Sequence, residues 1–247
     1  MSTASSSLHH AAHARLQEQL ARVARINEQR SDNPTLGAAL ERLARWQARR
    51  LRATYADLAA QARYVAAIRF FERDLYGNAD FARRDADLAR VVPIMVRMLP
   101  EKVIDTIAHA VELNALSHEL DAALLAHLPQ PDFGVADYCE AYRALDRRGD
   151  RERQIGLIAH VGAALDDHVR RPLVRAALAM MRKPAHLAGF GVLHDFLERG
   201  FTAFRAMHGA DHFLATIVAR ETALLERIVA GDPTPFPDPL ATASSGA

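Results

Sequence analysis

Apolar residues recur along this chain at three- and four-residue spacing, the signature of helices that each bury one face. Leu16, Leu20, Val23 and Ile26 mark the first such face, predicting a helix over residues 12–29. Asn33 stands before Pro34, a position disfavoured in helix, so the chain should break there, with Thr35 able to cap the next helix. Leu36, Leu40, Leu43, Leu51, Leu58, Ala62, Val65 and Ile68 then continue one stripe, predicting a single long helix over 34–76 with Trp46 beside the stripe. Further helices are predicted over 80–99, interrupted at Pro93, over 101–128, and over 133–145 with Asp132 as its cap. The charged stretch 146–153 reads as an exposed turn. A helix over 154–181 should kink or end at Pro172, and Pro184 should start the last pair. Of that pair, the first carries Phe190, Leu193, Leu197, Phe201 and Phe204 and stops at Gly209, and the second begins at Asp211. The expectation is all-α: one multi-helix bundle of about seven to nine helices, with one long helix near the N-terminus. Residues 1–11 and 231–247 are expected to be disordered tails around a helical domain at 12–230, the second tail being rich in Pro and then in Ser and Ala.

Composition narrows the function. Half of the residues are apolar and 25% are charged, as in a globular protein, and the net charge of +1 gives no field to steer a strongly charged partner. Lys102 and Lys183 are the only lysines among 31 basic residues, an arginine bias that we read as coding bias of a bacterial source. The single cysteine, Cys139, rules out an internal disulfide and fits a reducing compartment. The first residues lack the apolar core of a secretory signal, and no apolar run approaches the roughly 20 residues that span a bilayer. A cytoplasmic location without a membrane partner is expected.

The stretch Phe70-Phe71-Glu72-Arg73-Asp74-Leu75-Tyr76-Gly77, followed by Asp80-Phe81 and by Arg84-Asp85-Ala86-Asp87-Leu88, resembles the bacterial FFLEELY family, named for this motif. Glu72-Arg73-Asp74 stands where the family name has Leu-Glu-Glu. The resemblance covers roughly residues 55–125. It implies a helical, cytoplasmic, uncharacterised protein and carries over no catalytic residue.

Familiar chemical signatures are absent. The chain has no phosphate-binding glycine loop, no dinucleotide fingerprint, no nucleophile elbow, no paired-cysteine zinc motif and no pair of Glu-x-x-His motifs. Cys139 has no histidine or basic neighbour at a diagnostic spacing and should be buried and inert. Arg45, Arg49, Arg50 and Arg52 surround Trp46, but no nucleic-acid-binding signature accompanies them, so the arginines read as a solvated face and no nucleic-acid partner is expected. Helix 101–128 is apolar on two sides and should be central. It carries two polar stripes, Asn114, His118 and Asp121 on one and Asp105, His109, Glu112 and Glu119 on the other. His160 and Asp167 could share a face, His194 adjoins an apolar stripe with Glu198 one turn on, and Glu221 falls between Ile217 and Leu224. A buried Glu221 needs a partner, for which Arg220, Arg199 or a histidine are candidates. The favoured reading is a non-enzymatic helical protein acting through protein–protein interaction, with itself or another protein as partner. The alternative is a metal- or haem-binding bundle that uses His118, His160, His194, Glu198 and Glu221 as inward ligands.

Overall fold

The structure is a computed structural model that describes residues 2–76, 81–95 and 101–241. Among these it is all-α, with eleven α-helices, one π-helical turn and no strand. The helices are α1 (Ser2–Asp32), α2 (Pro34–Thr54), α3 (Ala56–Ala59), α4 (Val65–Phe70), α5 (Phe81–Met95), α6 (Glu101–Leu125), α7 (Val135–Ala144), α8 (Arg148–Arg170), α9 (Pro172–Leu187), α10 (Gly191–Ala206) and α11 (Asp211–Val229). The π-helical turn, Phe71–Tyr76, continues α4. Gly77, Asp80 and the end of the helix expected over 80–99 lie outside the described residues.

Helix α6 is the hub. It packs against α1, α2, α7 and α8, which explains its apolar residues on two sides. Ile104, Ala108, Val111 and Ala115 meet Leu16, Leu20 and Val23 of α1 and Val92 of α5. Leu116 and Leu120 meet Leu157 of α8. Leu124 and Leu125 join Leu40, Leu43 and Trp46 of α2 and Tyr138 and Cys139 of α7. A separate cluster, centred on Tyr55, Tyr64, Phe204, Met207 and Phe213, ties the α2–α4 region to α8, α10 and α11.

The helix count exceeds the predicted seven to nine because two predicted helices are divided. The stretch 34–76 is α2, α3, α4 and the π turn rather than one rod. Its backbone leaves the helix at Tyr55 (φ −114°, ψ 26°) and again before Val65. These bends turn Tyr55, Leu58 and Tyr64 into one core, where each is at most 2% exposed. No glycine or proline announces them, since burial of the two tyrosines sets the path. The longest helix near the N-terminus is α1, which begins at Ser2. The second division is at Pro172, which opens α9 at its first position, where its missing N–H costs nothing. Pro184 does not start a helix; it lies inside α9.

Smaller corrections concern the helix ends. Asn33, rather than Thr35, caps α2: its Oδ1 accepts from the Leu36 N–H at 3.0 Å. Helix α7 starts at Val135, with Asp137 Oδ2 accepting from the Gly134 N–H at 2.8 Å. Residues 148–153 are the first turns of α8, not a turn region, and Arg151 is buried there beneath the Tyr142 ring. The stretch 231–241 is no loose tail either, because Phe236 is 5% exposed and packs edge-on against Trp46 and Tyr138.

The Phe70–Tyr76 corner locks α4 to α10. Phe70 lies 5.4 Å from the Phe196 ring and sits against Gly200, where a Cβ would stand 3.0 Å from its Cζ. The Asp74 carboxylate is 4% exposed and accepts from Arg199 Nε at 2.9 Å and Nη2 at 2.8 Å. Arg84 reaches the Asp74 carbonyl and lies over the Phe196 ring at 4.6 Å. The π turn thus places a buried acid, two arginines and two aromatic rings in one knot.

Candidate functional site

Helices α9 and α10 are adjacent, each has 16 residues, and a tight turn with Gly189 at φ +80° joins them. They differ in cover. Helix α10 buries Leu193, His194, Gly200, Ala203 and Phe204, whereas α9 has no buried residue. Val174, Leu178 and Ala185 of α9 are half-buried and form its inner side. On the outside Leu173, Met180 and Leu187 are 84%, 77% and 90% exposed. They are spaced by seven residues and so lie along one line of the helix, with Ala176, Ala177 and Pro184 exposed between them. Helix α9 carries Arg175, Arg182 and Lys183 and no acidic residue.

At the seam of the two helices, His186 of α9 meets His194 and Asp195 of α10. His186 Nε2 is 2.9 Å from Asp195 Oδ1, and His194 Nδ1 is 3.7 Å from the same oxygen. The three offer one ligand atom each, all within 4.8 Å of one another. Adjacent helical side chains normally diverge, but Nδ1 is the ring nitrogen nearer the backbone and Asp is short, so they converge here. His194 Nε2 is 2.9 Å from the Leu178 carbonyl. A carbonyl only accepts, so Nε2 carries the proton and the Nδ1 of neutral His194 presents a bare lone pair. Burial pushes the Asp195 carboxyl up, but the hydrogen bond and charge of His186 beside it outweigh this and hold it below the usual carboxylate range.

The five residues expected as inward ligands are scattered. Among the described residues, no cluster of three or more ligating groups contains two of them. His194 joins the seam just described. Glu198 lies 3.8 Å from Arg182. His160 is exposed and its ring lies 4.4 Å from His109, next to Asp105, while Asp167 pairs with Arg171 instead. Arg15 donates into that group, 3.1 Å from Asp105 Oδ1 and 3.3 Å from His109 Nε2, so a cation is already in place. Glu221 accepts from the Tyr55 hydroxyl at 2.7 Å and pairs with Arg50 at 3.2 Å, not with its expected partners. Arg220 goes to Asp57 and Arg199 to Asp74. His118 is half-buried on α6. Two surface hollows, of about 470 Å³ beside Arg220 and Phe236 and about 320 Å³ beside Arg170 and His208, are lined by none of the five.

Sequence pattern does not reach two features of this region. His186 and Asp195 belong to different helices joined by a turn, and no fixed spacing announces their meeting. The seven-residue repeat of Leu173, Met180 and Leu187 is visible in the chain, but the predicted boundary at Pro184 divides it between two helices. Other expectations fit the side chains. Trp46 is 5% exposed and stacks on Tyr138 at 4.5 Å. Of the arginines expected as a solvated face, Arg45 and Arg52 are exposed and pair with Glu41 and Glu72, whereas Arg50 is only 11% exposed and pairs with Glu221. Cys139 is buried, and burial pushes its thiol up to about 11, which keeps it protonated and inert.

The family model described as "Domain of unknown function (DUF8198)" matches residues 26–235, most of the chain, and the protein belongs to that family. No curated protein and no solved structure matches it. Among the described residues no helix is long and apolar enough to cross a membrane.

Proposed function

We propose that this protein is a non-enzymatic helical protein that works by binding protein, in the first place a second copy of itself, along α9. The observation that carries this reading is the exposed line of Leu173, Met180 and Leu187. A long apolar line left in water on an otherwise folded helix marks an interaction surface. The line is symmetric about Met180. Two α9 helices laid antiparallel set each Leu173 against Leu187 of the second copy, and Met180 against its counterpart. This is the self-complementary pattern a two-fold dimer needs. Lys183 then falls beside Ala177 of the second copy and away from its basic residues.

Burial of these six large side chains contributes about 1.5–3 kcal/mol each. Association costs about 4–15 kcal/mol, so the dimer should be reversible and concentration-dependent. The setting we propose is the bacterial cytoplasm, which the single buried cysteine and the arginine bias support.

Sedimentation velocity of the full chain over a range of concentrations tests the reading. A monomer–dimer equilibrium that Met180→Glu abolishes, with the helical circular dichroism unchanged, is the expected result. A wild-type chain that stays monomeric throughout, or a dimer indifferent to Met180→Glu, would overturn it.

A further inference from the structure

We infer that His186 Nε2, His194 Nδ1 and Asp195 Oδ1 form a binding site for a divalent transition-metal ion of the zinc class, joining the end of α9 to the start of α10. Two independent features carry the inference beyond the proximity of three ligating groups.

The first is His194. It is 5% exposed, and its Nδ1 is buried with no hydrogen-bond partner. Leaving a buried polar atom without a partner is costly, and a bound ion removes that cost. The His194 ring is held by the Nε2–H bond to the Leu178 carbonyl, which fixes the tautomer and leaves the bare Nδ1 3.7 Å from Asp195 Oδ1. A backbone carbonyl that fixes one ring nitrogen so the other can ligate is the usual support of a metal-bound histidine.

The second is Gly191. A Cβ at this position would stand 2.7 Å from His186 Nδ1 and 2.9 Å from its Cε1. The His186 ring therefore lies in a space that only glycine leaves, on the first residue of α10. His186 is 47% exposed and gains little from burial, so its packing against bare backbone serves position more than stability.

The donor set suits the ion. Two imidazole nitrogens and a carboxylate oxygen match zinc and its neighbours better than calcium or magnesium, which take oxygen ligands. With ligand bonds of about 2.0–2.2 Å, tetrahedral ligands stand roughly 3.4 Å apart. The 3.7 Å between His194 and Asp195 is close to that, and the 2.9 Å between His186 and Asp195 must open slightly. The ion replaces the proton that His186 Nε2 shares with Asp195, and His186 then carries its proton on Nδ1. Asp195 and His186 are both partly exposed, so the remaining coordination position faces water. The Asp105–His109–His160 group offers the same donor types, but the Arg15 guanidinium already occupies its acceptors. This inference does not depend on α9 self-association.

The test is titration of the tag-free full chain, purified in the absence of chelator, with Co²⁺ read by its visible ligand-field absorption and with Zn²⁺ read by calorimetry. The expected result is one equivalent of ion bound by the wild type. His186→Ala and Asp195→Asn, both at partly exposed positions, should lose that binding while keeping helical circular dichroism. His160→Ala should keep it. Gly191→Ala, which favours helix but displaces the His186 ring, should weaken binding by about 10–100-fold, the scale on which support of a ligand matters. A wild type that takes up neither ion, or an equivalent lost in His160→Ala and retained in His186→Ala, would overturn the site.

Discussion

Helices α9 and α10 have equal length, lie side by side and are both amphipathic, yet α10 is built into the core and α9 covers only part of its apolar sector. Helix α10 faces α4, α5 and α8 as well as α9, so Leu193, Ala203 and Phe204 find neighbours on several sides. Among the described residues, helix α9 packs mainly against α10 and α8. Its apolar sector is wider than those two neighbours can cover, and Leu173, Met180 and Leu187 remain outside. An apolar stripe therefore states that a face needs cover, and the number of neighbours decides whether the chain itself provides it. The same difference separates a helix that holds the fold from one whose apolar line stays in water.

The comparison breaks most easily at Phe204, which is 3% exposed. Phe204→Ala should lower stability by about 3–5 kcal/mol, whereas Leu173→Ala should stay within about 0.5 kcal/mol. Urea unfolding of the two variants checks both, and equal losses would mean that α9 is part of the core. Next in size is Asp74, the buried acid that holds Arg199 of α10. Asp74→Ala removes the buried acceptor that Arg199, 40% exposed, reaches from α10, and should cost about 1.5–3 kcal/mol in the same measurement. The glycines sharpen the contrast further. Gly200→Ala drives a Cβ against the Phe70 ring and should cost about 1–3 kcal/mol. Gly156→Ala on α8 meets nothing within 4 Å and should raise the melting temperature, by up to about 1 kcal/mol of stability.

The smallest effect belongs to the surface pair of Asp57 and Arg220. The hydrogen bond and charge of Arg220 hold the Asp57 carboxyl down to about 2. A depressed carboxyl stabilises the folded state above its unfolded value of about 3.9, and that contribution fades as pH falls from there through about 2. Asp57 is more than half exposed and Arg220 about one-third exposed, so the gain should be no more than about 0.5 kcal/mol. Asp57→Asn should match the wild type at pH 2 and fall slightly below it at pH 7. A gap that instead widens toward acid would reverse the assignment.

How much can be read from the chain alone depends on how local each cause is. The stripe of Leu16, Leu20 and Val23 is enough to find α1, and Asn33-Pro34 is enough to end it, because helix periodicity and the clash before proline act within a few residues. The bends at Tyr55 and before Val65 are not readable, because the burial of two tyrosines against α10 and α11 causes them. Phe236 reads as part of a disordered tail since prolines flank it, yet the pocket that receives it belongs to Trp46 and Tyr138. For the candidate sites, His194 can be picked out as a histidine beside an apolar stripe. Its companions His186, Asp195 and Gly191 depend on a turn whose geometry no pattern encodes.

By itself the sequence determined that the chain is helical, where α2, α6 and α11 begin, which faces are apolar, and that α6 lies at the centre. Those properties come from period, capping and proline, which each residue carries with it. Only the tertiary structure decided that Glu221 pairs with Arg50 and Tyr55, that Arg220 serves Asp57, that the Asp105–His109 pair is filled by Arg15, and that α9 keeps its leucines in water. Partners across helices are set by how rods pack in three dimensions, and residues far apart in sequence compete for the same neighbour. The order of residues along the chain does not settle that competition.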